Sequence, residues 1–121
     1  MENTCLYDNQ LKRKFFNRKK VRLAFYYGPD KNNLVPNYSV NLSTGGVFIE
    51  TSKVLAPDEY LHVEFFIPKT ASVISCKSRV AWTNDPHIPK APQLPAGMGL
   101  QFLDLPIEEA CNIRRYLYEL G

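Results

Sequence analysis

The sequence predicts an all-β domain with one C-terminal helix, built as a small antiparallel barrel. Two observations carry this. Six or so short runs with apolar residues at alternate positions are separated by Gly, Pro and Asn turns. The last segment changes to a spacing of three and four residues, the period of a helix. A length of 121 residues, 45% hydrophobic, suits one domain with a buried core.

Residues 1–20 are polar and charged, with Leu6, Tyr7, Leu11, Phe15 and Phe16 as their apolar surface. They read as a flexible tail or short helix over 1–17, with the folded domain from 18 to 121. The first strand is expected from Val21 to Tyr27, a β-rich run ended by Gly28-Pro29-Asp30. Asp30 to Asn37 reads as a turn through Asn32, Asn33 and Pro36. Tyr38–Leu42 resumes a strand, Ser43-Thr44-Gly45-Gly46 breaks it, and Val47–Glu50 continues.

After the Pro57-Asp58-Glu59 turn, Leu61, Val63, Phe65 and Ile67 share one strand face. Pro68 to Ala71 turns again. Ile74, Cys76, Ser78, Val80 and Trp82 then form the buried side of a long strand, with Lys77 and Arg79 outward. Trp82 reads as a core anchor there, with base stacking as the alternative. Pro86, Pro89, Pro92 and Pro95 recur every third residue, the period of polyproline II, which predicts an extended, stiff loop. Such a loop serves stability or docks a partner. Gly97 to Leu103 supplies the last strand. Pro106 opens the helix, and Ile107, Ala110, Ile113, Leu117 and Leu120 form its inward stripe. Glu108 and Glu109 sit near its positive end.

The net charge of +3 hides an asymmetry. Lys12, Arg13, Lys14, Arg18, Lys19, Lys20 and Arg22 lie between Asn9 and Pro29 with no acid among them. Without those seven the chain holds 8 basic and 12 acidic residues, a balance of −4. The protein is thus a mildly acidic domain with a basic arm.

The N-terminus shows no secretory pattern, and no apolar run is long enough to span a bilayer, so a cytoplasmic location is expected. Cys5, Cys76 and Cys111 are odd in number with no C-x-x-C pair, which argues against zinc or a disulfide framework and for reduced thiols. No H-E-x-x-H, nucleophile elbow or Walker loop occurs. The chain is therefore expected to be no enzyme and to need no metal or cofactor.

Binding chemistry is more evident. Arg18 and Arg22 are four residues apart, and each guanidinium can fork onto phosphate oxygens or the O6/N7 edge of guanine. Downstream, Asn41-Leu42-Ser43-Thr44-Gly45-Gly46 closes a strand. Asn41 and Ser43 alternate onto one face, while Gly45 and Gly46 permit a sharp turn and a close backbone approach.

Arg18-Lys19-Lys20-Val21-Arg22 followed by Asn41-Leu42-Ser43-Thr44-Gly45-Gly46 resembles the two-part signature of PilZ domains, bacterial cyclic di-GMP receptors. Gly97-Met98-Gly99-Leu100-Gln101-Phe102 is similar to that family's closing strand. The resemblance spans Arg18 to the final helix and implies a six-stranded antiparallel barrel with a C-terminal helix. It implies that Arg18 and Arg22 contact phosphate and guanine as the N-terminal loop wraps the ligand. Asn41, Ser43 and Gly46 would hold guanine from the barrel side, with Gly45 beside them. Asn17 occupies the place that influences whether one ligand or a stacked pair binds, and Lys19 joins it as a secondary contact.

An aspartate at position 41 would accept from guanine N1–H and N2–H₂ together, whereas asparagine offers one acceptor and a donor amide. The expected ligand is therefore cyclic di-GMP or a related cyclic dinucleotide with one adenine. A protein effector in motility, pilus or exopolysaccharide control is the further implied partner. Two alternatives compete: a small barrel binding single-stranded DNA or RNA, bordered by Phe15, Phe16, Tyr26 and Tyr27, and a PilZ-like interaction module without ligand. The net acidic barrel speaks against nucleic acid.

Overall fold

Alternation of apolar side chains closes the sheet on itself. The computed structural model describes residues 18–70 and 72–120; the expected N-terminal segment 1–17 lies outside them. The strands are β1 (Lys19–Lys20), β2 (Ala24–Gly28), β3 (Val35–Leu42), β4 (Gly46–Glu50), β5 (Tyr60–Phe66), β6 (Val73–Asn84) and β7 (Gly97–Phe102), followed by helix α1 (Ile107–Glu119). Antiparallel pairing runs β3-β2-β5-β6-β7-β4, and β4 pairs back onto β3 to complete a closed six-stranded barrel. The two-residue β1 pairs with the end of β3, Lys19 opposite Leu42 and Lys20 opposite Asn41.

Inward residues of every strand meet in one core. Phe25 stacks on Phe65 with centroids 4.1 Å apart, and Phe65 on Phe102 at 5.7 Å. Val63, Ile74, Val80 and Met98 are fully buried around them. Each such side chain contributes roughly 1.5–3 kcal/mol of transfer free energy. Helix α1 covers the barrel with Ala110, Ile113 and Leu117. Ile107 and Leu120, expected in the same stripe, are instead exposed at the two ends of the helix. Pro106 is the N-cap, in extended conformation, and supplies no side-chain cap bond.

Several boundaries move for identifiable reasons. The first strand is split at residues 21–23. There the buried Ser39 hydroxyl donates to the Val21 carbonyl and accepts from Leu23 N–H at 2.9 Å, beside backbone bonds from Val21 N–H to the Val40 carbonyl at 3.3 Å and from Ser39 N–H to the Leu23 carbonyl at 2.9 Å. Strand β3 begins at Val35, not Tyr38. Its first residues pair with β2 alone, β4 joining from Tyr38, and a strand with one open side tolerates Pro36.

The proline loop is not extended. The buried Asn84 amide donates to the carbonyls of Ala91 and Pro95 at 3.0 Å and of Leu94 at 3.3 Å, and its oxygen accepts from Ala91 N–H at 2.9 Å. One side chain thereby folds the loop back on the end of β6.

Cys76 is free and buried. Cys111 is engaged in a disulfide, which corrects the expectation of three reduced thiols. Among the described residues no helix is long and apolar enough to cross a membrane.

Candidate functional site

The turn from β3 to β4 is built by its own side chain. Ser43 N–H donates to the Gly46 carbonyl at 2.9 Å, and the Ser43 hydroxyl accepts from Gly45 N–H at 3.1 Å. This pulls Ser43 into a buried position and turns the chain within four residues. Gly46 is required for packing, because a Cβ there would lie 2.0 Å from the Leu100 carbonyl oxygen of β7.

Immediately before β1, Arg18 folds over this turn. Its Nη1 donates to Asn41 Oδ1 at 2.6 Å. Partial desolvation against the barrel lowers the Arg18 pKa although the residue still contacts solvent. The guanidinium stays charged at neutral pH.

Arg18, Ser43 and Gly45 form one wall of a surface cleft of about 320 Å³. The opposite wall comes from β6 and β7: Arg79, Ala81, Trp82, Gly99, Leu100 and Gln101. A register shift in β6 between Val80 and Trp82 turns Trp82 out of the core and onto this wall. The indole is half-buried, packs on Phe48 at 5.2 Å, and sits over Gly99, where a Cβ would approach its Nε1 to 2.2 Å. The two glycines of Gly97-Met98-Gly99 make room for Phe48 and Trp82 outside the barrel core.

The structure therefore brings Arg18, Asn41, Ser43 and Gly45 together and leaves two expected groups elsewhere. Arg22 does not line the cleft. Its guanidinium lies 4.0 Å over the Tyr38 ring and 3.8 Å from Glu50. Lys19 sits on β1 beside Leu42 without lining the cleft, and Asn17 lies outside the described residues. Arg79 and Gln101 were missed by sequence reasoning, because an outward residue on a regular strand looks like solvated surface. Their pairing opposite one another across β6 and β7 becomes visible only once the register is known.

A second arrangement lies on the outer face of β5 and β6. His62 Nε2 is 2.6 Å from Ser75 Oγ, and Ser75 Oγ is 3.4 Å from Glu64. The carboxylate meets the hydroxyl rather than the far side of the imidazole, unlike a nucleophilic triad. Among the described residues no three His, Cys, Asp or Glu side chains converge as a metal site.

The described residues thus form a closed barrel under a helix, with an arginine folded over a serine-glycine turn at the rim of a cleft. A family model described as PilZ domain matches residues 12–119. The chain belongs to the PilZ domain family, a family of cyclic di-GMP receptors.

Among solved structures, the Bacillus subtilis inhibitor of motility (MotI/DgrA) superposes with a TM-score of 0.65 at 17% identity, over 85% of this chain and 49% of that one. The chain thus spans about half the length of that protein. The PilZ domain of CeSA from a cellulose-synthesizing bacterium gives a TM-score of 0.55 at 12% identity, over 85% and 96% of the two chains. At these identities the likeness establishes the fold. No curated protein sequence matches the chain.

Proposed function

We propose that this protein is a receptor for cyclic di-GMP, or a closely related cyclic dinucleotide, and passes the signal to a protein effector. The observation that carries the proposal is the cleft in which Arg18, already bonded to Asn41, faces Trp82 beside the Ser43–Gly46 turn. A guanidinium supplies two parallel donors for phosphate, the indole a stacking surface for a purine, and the Asn41 amide a hydrogen-bonding edge for the base. A volume of about 320 Å³ falls at the small-molecule scale. One stacking ring in so small a cleft suits a dinucleotide better than a continuous strand.

In this reading the ligand also engages the acid-free segment from Lys12 to Arg22. Two phosphates offset the mutual repulsion of its seven cations and order it against the barrel. Arg22 leaves Tyr38 and Glu50 and closes over the ligand. The ordered arm then forms the surface that the effector recognises. Motility, pilus and exopolysaccharide control are the outputs the family suggests.

Calorimetric titration of the full chain with cyclic di-GMP tests this, with Arg18→Ala, Arg22→Ala and a single-stranded oligonucleotide as comparison arms. Micromolar or tighter binding of the dinucleotide is expected, weakened about tenfold or more in each variant. Equal affinity of wild type and both variants would remove the arginine assignment. Preferential, strongly salt-dependent binding of the oligonucleotide would favour a nucleic-acid barrel instead.

A further inference from the structure

Arg79 lines the cleft across from Arg18, yet it is held from two sides. Asp58 Oδ1 accepts from its Nη1 at 2.6 Å. Gln101 Oε1 accepts from Nε at 3.2 Å and Nη2 at 2.8 Å. Three of the five guanidinium N–H groups are thus committed among the described residues, leaving two.

Asp58 occupies an unusual place. It is the third residue of the Ala56–Glu59 turn, closed by Glu59 N–H donating to the Ala56 carbonyl at 3.3 Å, and its φ is 75°. That position follows a proline and ordinarily calls for glycine or asparagine. The backbone is nonetheless fixed, since Asp58 N–H donates to Val80 O at 2.7 Å and Val80 N–H to Glu59 O at 2.8 Å. An aspartate in left-handed backbone, clamped to β6, presents its carboxylate to Arg79 at the edge of the cleft. That carboxylate is 80% exposed, so the pair is weakly held and readily exchanged for another anion.

We propose that Arg79 is an anion-contacting residue of the cleft and that Asp58 is its resting counter-ion, a latch that a ligand phosphate displaces. The proposal rests on the reading of the cleft as a cyclic-dinucleotide site. Gln101, accepting from Nε and Nη2, holds the orientation of the guanidinium against β7 while the counter-ion changes. A phosphate offers the same two-oxygen geometry as the carboxylate with more charge, which favours the exchange once Arg18 has positioned the ligand. The latch lowers affinity, because binding must first break the Asp58 pair, and it keeps Arg79 charged and oriented in the meantime.

The test is calorimetric titration of the full chain with cyclic di-GMP for wild type, D58N, D58G, R79Q, R79K and E59Q, with thermal melts to verify folding. Asparagine and glycine both tolerate the positive φ, so neither position-58 variant strains the turn. D58N and D58G are expected to bind up to about fivefold more tightly, the worth of one exposed ion pair. R79Q is expected to bind about tenfold more weakly, and R79K, which keeps the charge without the fork, in between. E59Q removes the same charge one residue away without touching Arg79 and is expected to match wild type. Unchanged affinity in D58N and R79Q, alongside binding by wild type, would overturn the latch and leave the receptor reading intact. Equal tightening in E59Q and D58N would overturn it in favour of long-range charge. Absence of binding in every protein would overturn both readings.

Discussion

Arg18 donates to the side-chain oxygen of Asn41 at 2.6 Å across 23 residues of sequence, joining the two halves of the candidate site directly. The bond takes one of the two lone pairs on the single acceptor oxygen of Asn41, so a guanine base must share that oxygen with Arg18. An aspartate would have a second oxygen to spare. Asn41→Asp is therefore expected to raise the preference for cyclic di-GMP over the mixed GMP–AMP cyclic dinucleotide by about tenfold, the lower range for one bidentate base contact. Parallel titrations with the two ligands measure this ratio. An unchanged ratio would mean that the base does not reach position 41.

Gly99 sets the seat of Trp82. Because a Cβ at Gly99 would come within 2.2 Å of the indole Nε1, Gly99→Ala must push the ring off the cleft wall or strain β7. Trp82 is the sole tryptophan, so its emission reports the displacement directly. A red-shifted emission maximum with at least about fivefold weaker dinucleotide binding is expected, given that one base–aromatic stack contributes about 1–3 kcal/mol. A shifted emission with unaltered affinity would assign Trp82 to packing alone.

The barrel was legible in the sequence where period-two alternation is uninterrupted. Leu61, Val63 and Phe65 face inward as alternation requires, as do Ile74, Cys76 and Val80. Reading failed where a single residue shifts the register. Nothing local distinguishes Trp82 from the next inward residue after Val80, because the bulge arises from pairing with β7. Likewise the three-residue proline spacing predicted an extended loop, but spacing says nothing about Asn84, whose amide collects three carbonyls and folds that loop. In the site, Arg18, Asn41, Ser43 and Gly45 were found because they belong to contiguous motifs. Arg79 and Gln101 acquire meaning only from the register that sets them side by side. Arg22 shows the converse, a motif residue that the fold holds on Tyr38 in this structure.

Ser39 offers a test of the split in the first strand. Its buried hydroxyl serves Leu23 N–H and the Val21 carbonyl together, at the point where the chain leaves β1 for β2. Ser39→Ala removes both bonds and leaves two partly buried backbone groups unsatisfied, at a cost of about 1–3 kcal/mol. Denaturant unfolding should show the loss as a lower midpoint. Because Val21 and Leu23 lie between Arg18 and β2, hydrogen exchange at these residues should also accelerate more than in the β5–β6 ladder. Uniform acceleration across the barrel would argue that Ser39 contributes to global stability only.

Cys76 carries the clearest pH signature. Burial in the barrel pushes its thiol up to about 11, with the Asp104 charge adding to the rise and the neighbouring Ser78 hydroxyl opposing it. The unfolded thiol titrates near about 8.5, so the folded state holds its proton over a higher range. Thiol ionisation therefore favours the unfolded chain as pH rises above about 8.5, and the stability linked to Cys76 declines until its folded pKa near 11 is passed. Cys76→Ser leaves a hydroxyl that does not titrate in this range, and should flatten the decline while lowering stability at neutral pH. Mass analysis after iodoacetamide treatment at pH 8 should find the Cys76 peptide unmodified in the native protein and alkylated in denaturant. Rapid native-state alkylation would show instead that the barrel opens at β6, since only exposure of that strand gives the thiol both water and reagent.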